Sequence, residues 1–213
     1  LEAQRNVAVD VAEQVVDIFH GRPPKYAVNM PVLLPEAEAI LTPYLSVADR
    51  LGRFYTQVEG GPMEAIEITY AGEIAGHNTA PLRAAVLRGL LEPISTERIN
   101  LINAEAIARS RGLDVVEHKA IADETYGNVL TLKVADRSVA GAFLHGQVHI
   151  VTIDGLPVDL EPKGYLLVGR CVSRPGLLGR LGMIIGEAGI GILSAIFTPK
   201  GPNGEAIVIM GLE

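Results

Sequence analysis

The stretch GYLLVGRCVSRPGLLGRLGMIIGEAGIGI, residues 164–192, decides how the C-terminal part of this chain folds. Tyr165 to Val172 is an apolar run suited to a strand, Ser173-Arg174-Pro175-Gly176 is a tight elbow, and Leu177 to Glu187 repeats apolar residues at helical spacing. Gly189-Ile190-Gly191-Ile192 leads into a second strand, and Ala206 to Gly211 is a third. Pro175 has a fixed φ and no N–H, so it suits the first turn of the helix. Gly189 stands where a helix C-terminus favours a left-handed residue. The predicted order is strand, elbow, amphipathic helix, strand, strand. The elbow is expected to leave backbone N–H groups free at a helix N-terminus, where a small anion can bind. An ordinary βαβ packing unit is the alternative. Gly176, Gly179 and Gly182 recur every third residue along the helix, which reads as close packing in preference to a phosphate grip.

Ahead of this unit, Pro162-Lys163-Gly164 marks a boundary. Ala65 to Ala71 alternates Ile66, Ile68 and Tyr70 with Glu67, Thr69 and Ala71, the period of a strand with one buried face. A polar loop over Gly72 to Thr79 leads to helical patterns over Pro81 to Leu91 and Asn103 to Arg111, the second closed by Gly112. Strand patterns follow at Val115 to Lys119, Asn128 to Ala135, Ser138 to Leu144 and His149 to Ile153. Asp154-Gly155 is a hairpin turn before Leu156 to Leu160. Together these make an α+β domain of about one hundred residues. Further upstream, Pro35 to Gln57 reads as a connecting helix in which Thr42-Pro43 is either a new N-cap or a kink. Arg22 to Pro35 is proline-rich and reads as an extended linker, with Tyr26 to Asn29 its strand-like piece. Glu2 to His20 carries Val7, Val11, Val15, Ile18 and Phe19 at helical spacing, and Gly21 with Pro23-Pro24 closes that helix.

The chain has 213 residues, 48% of them hydrophobic, so a disordered segment is excluded and one good core or two small ones are expected. Its longest apolar runs are far too short to span a bilayer, and no export pattern opens the sequence, so the cytoplasm is the expected compartment and no membrane is an expected partner. Cys171 stands alone, cannot form an internal disulfide, and reads as a packing residue. A net charge of −7 without a basic or aromatic stripe argues against nucleic acid.

Several stretches carry a family likeness. The strand, elbow and helix of residues 164–213 resemble the first half of an ACT domain, the βαββαβ module that amino-acid-sensing enzymes carry. That likeness implies a second helix and a fourth strand after Ala206 to Gly211, so a ferredoxin-like βαββ unit, incomplete over 163–213, is expected. Tyr70-Ala71-Gly72-Glu73, Leu87-Arg88-Gly89-Leu90-Leu91, Ile99-Asn100, Asn103-Ala104, Ala108 and Arg111-Gly112 precede Val139-Ala140-Gly141 and Ile150-Val151 with Ile153-Asp154-Gly155. In that order they resemble the allosteric substrate-binding domain of long-form D-3-phosphoglycerate dehydrogenases, here over 63–162. Glu2-Ala3-Gln4, Asp10-Val11-Ala12 and Gly21 with Ala27-Val28-Asn29 resemble the segment that closes the catalytic body of that family. The likeness therefore implies a catalytic-domain helix and tail over 1–29, a linker and connecting helix over 30–62, and a catalytic half with its NAD site upstream of Leu1. The chain itself is expected to hold no catalytic or NAD-binding residue and no metal. The parent enzyme is expected to oxidise 3-phosphoglycerate to 3-phosphohydroxypyruvate with NAD in L-serine biosynthesis. A stand-alone amino-acid or small-anion sensor, or the regulatory part of an L-serine dehydratase, is the alternative. The dehydratase's iron–sulfur cluster needs more cysteine ligands than the one present.

The candidate effector contacts are Ser173, Arg174, Pro175, Gly176, Leu177 and Gly191 at the ends of the ACT-like helix, with Asn103 and His149 in the preceding domain. Asn103 reads first as a helix cap and second as a ligand contact. His149 stands where the resemblance implies an arginine or lysine holding an anionic effector, an amino acid or a phosphorylated acid. An exposed strand histidine is the preferred reading there. His145 and His149 straddle a turn and do not read as a metal pair. Glu64, Glu67 and Glu73 read as solvated charge, and Ser173 lacks the partners of a nucleophile. Serine-inhibited ACT enzymes carry an acidic or amide residue at the place of Ser173 and an asparagine at that of Gly191, and clamp the effector between two subunits. Weak or absent L-serine inhibition is therefore expected. ACT pairing at strand edges near Tyr165 and Ile207 would give a homodimer or tetramer.

Overall fold

A computed structural model of the protein describes residues 2–19, 35–201 and 204–213. It falls into two compact units, Leu1–Val32 and Leu33–Glu213. The first holds helix α1 (Glu2–Phe19), on which Val7 and Val11 are exposed. The expected linker and its strand-like Tyr26 to Asn29 lie outside the described residues.

The second unit opens with α2 (Pro35–Glu59), which runs unbroken through Pro43, so Thr42 is not a new N-cap. Strand β1 (Ala65–Ala71) buries Ile66, Ile68 and Tyr70, as its alternation predicts. Helices α3 (Ala80–Leu91) and α4 (Ala104–Ser110) precede β2 (Asp114–Ala120), β3 (Val129–Val134), β4 (Arg137–Leu144), β5 (Gln147–Ile153) and β6 (Leu156–Leu160). These strands form one mixed sheet in the order β2-β1-β3-β4-β5-β6, with β1 and β2 parallel and every other pair antiparallel. The main core lies between one face of this sheet and the helices, built from Leu41, Val47, Leu51, Leu82, Leu87, Leu130, Leu132 and Ile150 among others. On the opposite face Val129, Ala140, Ala142 and Val151 form a smaller cluster against Tyr126. The expected polar loop at residues 72–79 contains a 3₁₀ turn, Glu73–Gly76, held by the Asn128 Oδ1 that accepts from the Glu73 N–H at 2.6 Å.

Two glycines set the approach of α2 to α3. A Cβ on Gly89 would overlap the Asp49 carbonyl and lie 3.1 Å from the Arg53 nitrogen; a Cβ on Gly52 would overlap the Val86 carbonyl. The obstacles are backbone atoms, so neither can turn aside. This is the physical reason for glycine inside Leu87-Arg88-Gly89-Leu90-Leu91. The pair is fastened at its rim by Asp49, which accepts from Arg53 and Arg88 at 2.9 Å each.

The C-terminal sheet consists of β7 (Tyr165–Val172), β8 (Ile192–Pro199) and β9 (Glu205–Leu212), ordered β7-β9-β8 and antiparallel throughout. Ile207 therefore sits in the central strand, and the expectation of an open edge there is corrected: β7 and β8 are the edge strands, each with β9 as its one pairing neighbour among the described residues. One face of this sheet, with Leu166, Val168, Ile196, Ile207 and Ile209, joins the main core. The other carries α5 (Leu177–Glu187), whose Leu181 and Ile185 pack on Val208, Met210, Phe197 and Cys171. Cys171 is thus a packing residue. Strand, helix and two strands in this arrangement make the expected α+β architecture with an ACT-like βαββ unit.

Candidate functional site

The elbow forms around Gly176, whose φ of 79° caps α5 in the left-handed region that L side chains rarely adopt. That cap displaces Pro175 from the first helical turn, where the sequence placed it, into the turn ahead. At the other end, Gly189 has φ 73°, its N–H donates to the Gly186 carbonyl at 3.0 Å, and the Ile190 N–H donates to the Ile185 carbonyl at 3.2 Å. This double closure is the Schellman arrangement that the glycine predicts.

Fewer N–H groups are free at the elbow than the sequence implied. The Ser173 N–H donates to the Gly204 carbonyl at 2.9 Å and the Leu177 N–H to the Arg174 carbonyl at 3.2 Å. Arg174, Pro175 and Gly176 are exposed, and Ser173 is half-buried. Gly191 lies beyond the far end of α5, which at a rise of 1.5 Å per residue is about 16 Å long. One chain therefore does not bring Ser173 and Gly191 together. A Cβ at Gly191 would meet the carboxylate end of Glu213, a flexible side chain that can move aside. Close packing does not explain Gly176, Gly179 and Gly182: a Cβ on any of them meets open space. The reading fails because α5 packs through Leu181 and Ile185, while the glycines lie off that contact face.

His149 corrects another expectation. It is buried, not an exposed strand histidine, because β5 is an inner strand with both faces covered. Its Nδ1 lies 2.7 Å from the Asp159 carboxylate, and its ring meets that of His145 edge-on at 6.5 Å. Glu161 is near enough to interact with His149 electrically. The Lys163 ammonium, by hydrogen bonding, is the main cause that holds the Glu161 carboxyl below its usual range. The histidine thus has one carboxylate, that of Asp159, within hydrogen-bond distance. Asn103 does not cap α4 with its side chain; its Oδ1 accepts from the Asn100 N–H at 2.7 Å and its Nδ2 donates to the Arg98 carbonyl at 3.0 Å, which fixes the loop before the helix.

The sequence reading missed a charge network between the two sheets. Asp154, in the β5–β6 turn at φ 51°, accepts from Arg137 Nη1 at 3.1 Å, Arg170 Nε at 3.0 Å and the Ser138 N–H at 3.0 Å. Glu59, at the end of α2, pairs with Arg170 and lies 3.8 Å from Arg137. Burial opposes ionisation of Asp154, but the Ser138 N–H and the two arginines outweigh it and hold its carboxyl below the usual range. The visible signal was the Asp154-Gly155 turn, which gives no hint of partners on α2 and β7.

The elbow does not fit a dinucleotide. Such a site needs a parallel βαβ crossover with a Gly-x-Gly-x-x-Gly turn, whereas β7 and β8 flank β9 and the turn reads Ser173-Arg174-Pro175-Gly176. Among the described residues no cluster of His, Cys, Asp and Glu has metal-binding geometry, and no helix is long and apolar enough to cross a membrane.

Comparison with known proteins places the larger sheet and its helices. The family description "D-3-phosphoglycerate dehydrogenase intervening domain" matches residues 40–154. The chain belongs to that family. It is 36% identical over 218 residues to a D-3-phosphoglycerate dehydrogenase of Synechocystis, covering 100% of this chain and 39% of the relative. Enzymes of the same name from Methanocaldococcus jannaschii and Bacillus subtilis are 35% and 32% identical, again over 100% of this chain and 41% of each relative. The chain thus spans about two fifths of the length of the relatives it matches, and it includes the matched intervening domain and the ACT-like unit.

Proposed function

We propose that this chain is the regulatory and oligomerisation portion of a D-3-phosphoglycerate dehydrogenase, which oxidises 3-phosphoglycerate to 3-phosphohydroxypyruvate with NAD. The observation that carries the reading is the match to the intervening domain over 40–154 together with an ACT-like sheet whose inner face joins the same core. Residues 1–29 then close the catalytic body, 30–62 connect, 63–162 form the intervening domain and 163–213 the ACT unit. Hydride transfer and NAD belong to the part of the enzyme outside this chain, and the compartment is the cytoplasm. The family match favours this reading over a stand-alone sensor or an L-serine dehydratase segment.

The effector is an amino acid or a phosphorylated acid, and the elbow from Ser173 to Leu177 acts with Gly191 of a second copy. The α5 length supports a two-subunit clamp, because a single chain holds these positions at opposite helix ends. Association into a dimer or tetramer through the β7 side follows. The test is NADH formation from 3-phosphoglycerate by the whole protein, with its mass in solution measured on the same sample. Turnover in an oligomer supports the reading; a whole protein that never reduces NAD with this substrate overturns it.

A further inference from the structure

A cleft of about 550 Å³ opens between the β3–β4 turn and the C-terminal sheet, bordering the elbow at Val172 and Glu205. Its inner wall is the Arg137–Asp154–Arg170 network. Its rim carries Asp136 on one side and Lys200 and Glu205 on the other. Lys200 and Glu205 are neighbours in the β8–β9 hairpin, where the Lys200 N–H donates to the Glu205 carbonyl at 2.7 Å. Yet their side chains form no ion pair with each other, and neither they nor Asp136 has an ion-pair partner among the described residues. Arg137 spends one nitrogen, Nη1, on Asp154 and approaches Glu59 only at 3.8 Å, so donors remain on its guanidinium.

One cleft therefore holds rim charges of both signs that form no ion pair with one another, above a wall that includes Val172 and Ile207. Its volume is in the range of small-molecule sites. A simple anion would use the cations and be repelled by two carboxylates; a simple cation would meet the reverse. A molecule that carries both poles satisfies each side. We propose that this cleft binds a zwitterionic α-amino acid, its carboxylate on Lys200 and Arg137, its ammonium on Asp136 and Glu205, and its side chain towards Val172 and Ile207. The site lies within one chain and shares no residue with the two-subunit clamp of Ser173 to Leu177 and Gly191, although it borders the elbow. Because its wall is the network joining the two sheets, occupancy would tighten their attachment.

The inference rests on the reading of this chain as a regulatory portion, but its test does not depend on catalysis. Titration calorimetry on the full chain would use glycine, L-alanine, L-serine, L-valine and L-leucine. Isovalerate and isobutylamine, each lacking one pole of valine, serve as controls. At least one amino acid is expected to bind, both single-pole analogues at least tenfold more weakly, and Lys200→Ala and Glu205→Ala each to weaken binding tenfold or more. Both variants lie at an exposed rim, and an unchanged thermal midpoint for each checks that the fold persists. Binding that survives both substitutions, binding by one pole alone, or no binding across the panel overturns the proposal. A whole protein without dehydrogenase activity that still binds at this cleft would sink the enzyme reading and leave the site standing.

Discussion

Alanine at Gly89 and alanine at Gly179 should change stability in opposite directions, although both glycines lie inside helices. Alanine has the higher helix propensity by about 1 kcal/mol, which is the whole expected effect where the new methyl meets nothing. Gly179 is such a position, so Gly179→Ala should stabilise by about 1 kcal/mol. At Gly89 the methyl overlaps the Asp49 carbonyl and crowds the Arg53 nitrogen, both backbone atoms of α2. Relief requires α2 and α3 to separate, loosening Leu51, Leu87 and Leu90, all fully buried. Overpacking of this kind costs about 1–3 kcal/mol in well-packed cores. A clash with backbone belongs at the upper end, so after the propensity gain Gly89→Ala should destabilise by about 2 kcal/mol. Urea unfolding followed by far-UV circular dichroism would read both variants, with the slope checked for constancy. A Gly89→Ala protein as stable as the parent would refute the close-approach argument, and equal shifts in the two variants would show that propensity alone governs both helices.

Three further outcomes follow from the same contacts. Asp154→Asn keeps a residue that tolerates positive φ but removes the charge shared by Arg137 and Arg170. It should cost about 1–2 kcal/mol at neutral pH, the value discounted for partial exposure. Because the folded carboxyl titrates below its unfolded value of about 3.9, this contribution is complete above that value and is lost as pH falls through the lower folded one, so parent and variant should converge in strong acid; a pH-independent gap in urea midpoints would contradict it. Tyr44→Phe removes a hydrogen bond from a buried hydroxyl to the Asn128 carbonyl at 2.8 Å and should cost about 1 kcal/mol, measurable by the same unfolding assay. L-Serine should inhibit the whole enzyme weakly or not at all, since Ser173 supplies no charge and Gly191 no side chain. Ser173→Asp combined with Gly191→Asn should raise serine affinity about tenfold or more, and unchanged inhibition curves would rule out the elbow as the effector clamp.

Local patterns in the chain were enough to locate most elements. Alternation in Ile66, Ile68 and Tyr70 gave a strand with the right buried face, and Asp154-Gly155 and Gly189 gave a hairpin and a helix stop because turn and cap conformations depend on one or two residues. What depended on distant partners was not legible. The parallel pairing of β1 with β2 joins Ala65 to Asp114 across two intervening helices, and nothing local encodes it. His149 reads as exposed by type, yet β5 is an inner strand whose second face is covered by a small cluster. Asn103 occupies the cap position while its amide is taken by the loop before it. Glycines at regular spacing in α5 suggested a packing seam, whereas the seam lies at Gly52 and Gly89, where spacing gives no sign. The network of Glu59, Arg137, Asp154 and Arg170 draws on four segments far apart in sequence.

The central claim is that these residues regulate and assemble a dehydrogenase whose chemistry lies elsewhere in the protein. Its most direct test is NAD-dependent oxidation of 3-phosphoglycerate by the whole protein and by a version cut after Asn29. The account predicts turnover by both, with oligomeric state and effector response altered in the shortened form. Absence of turnover by the whole protein would contradict it.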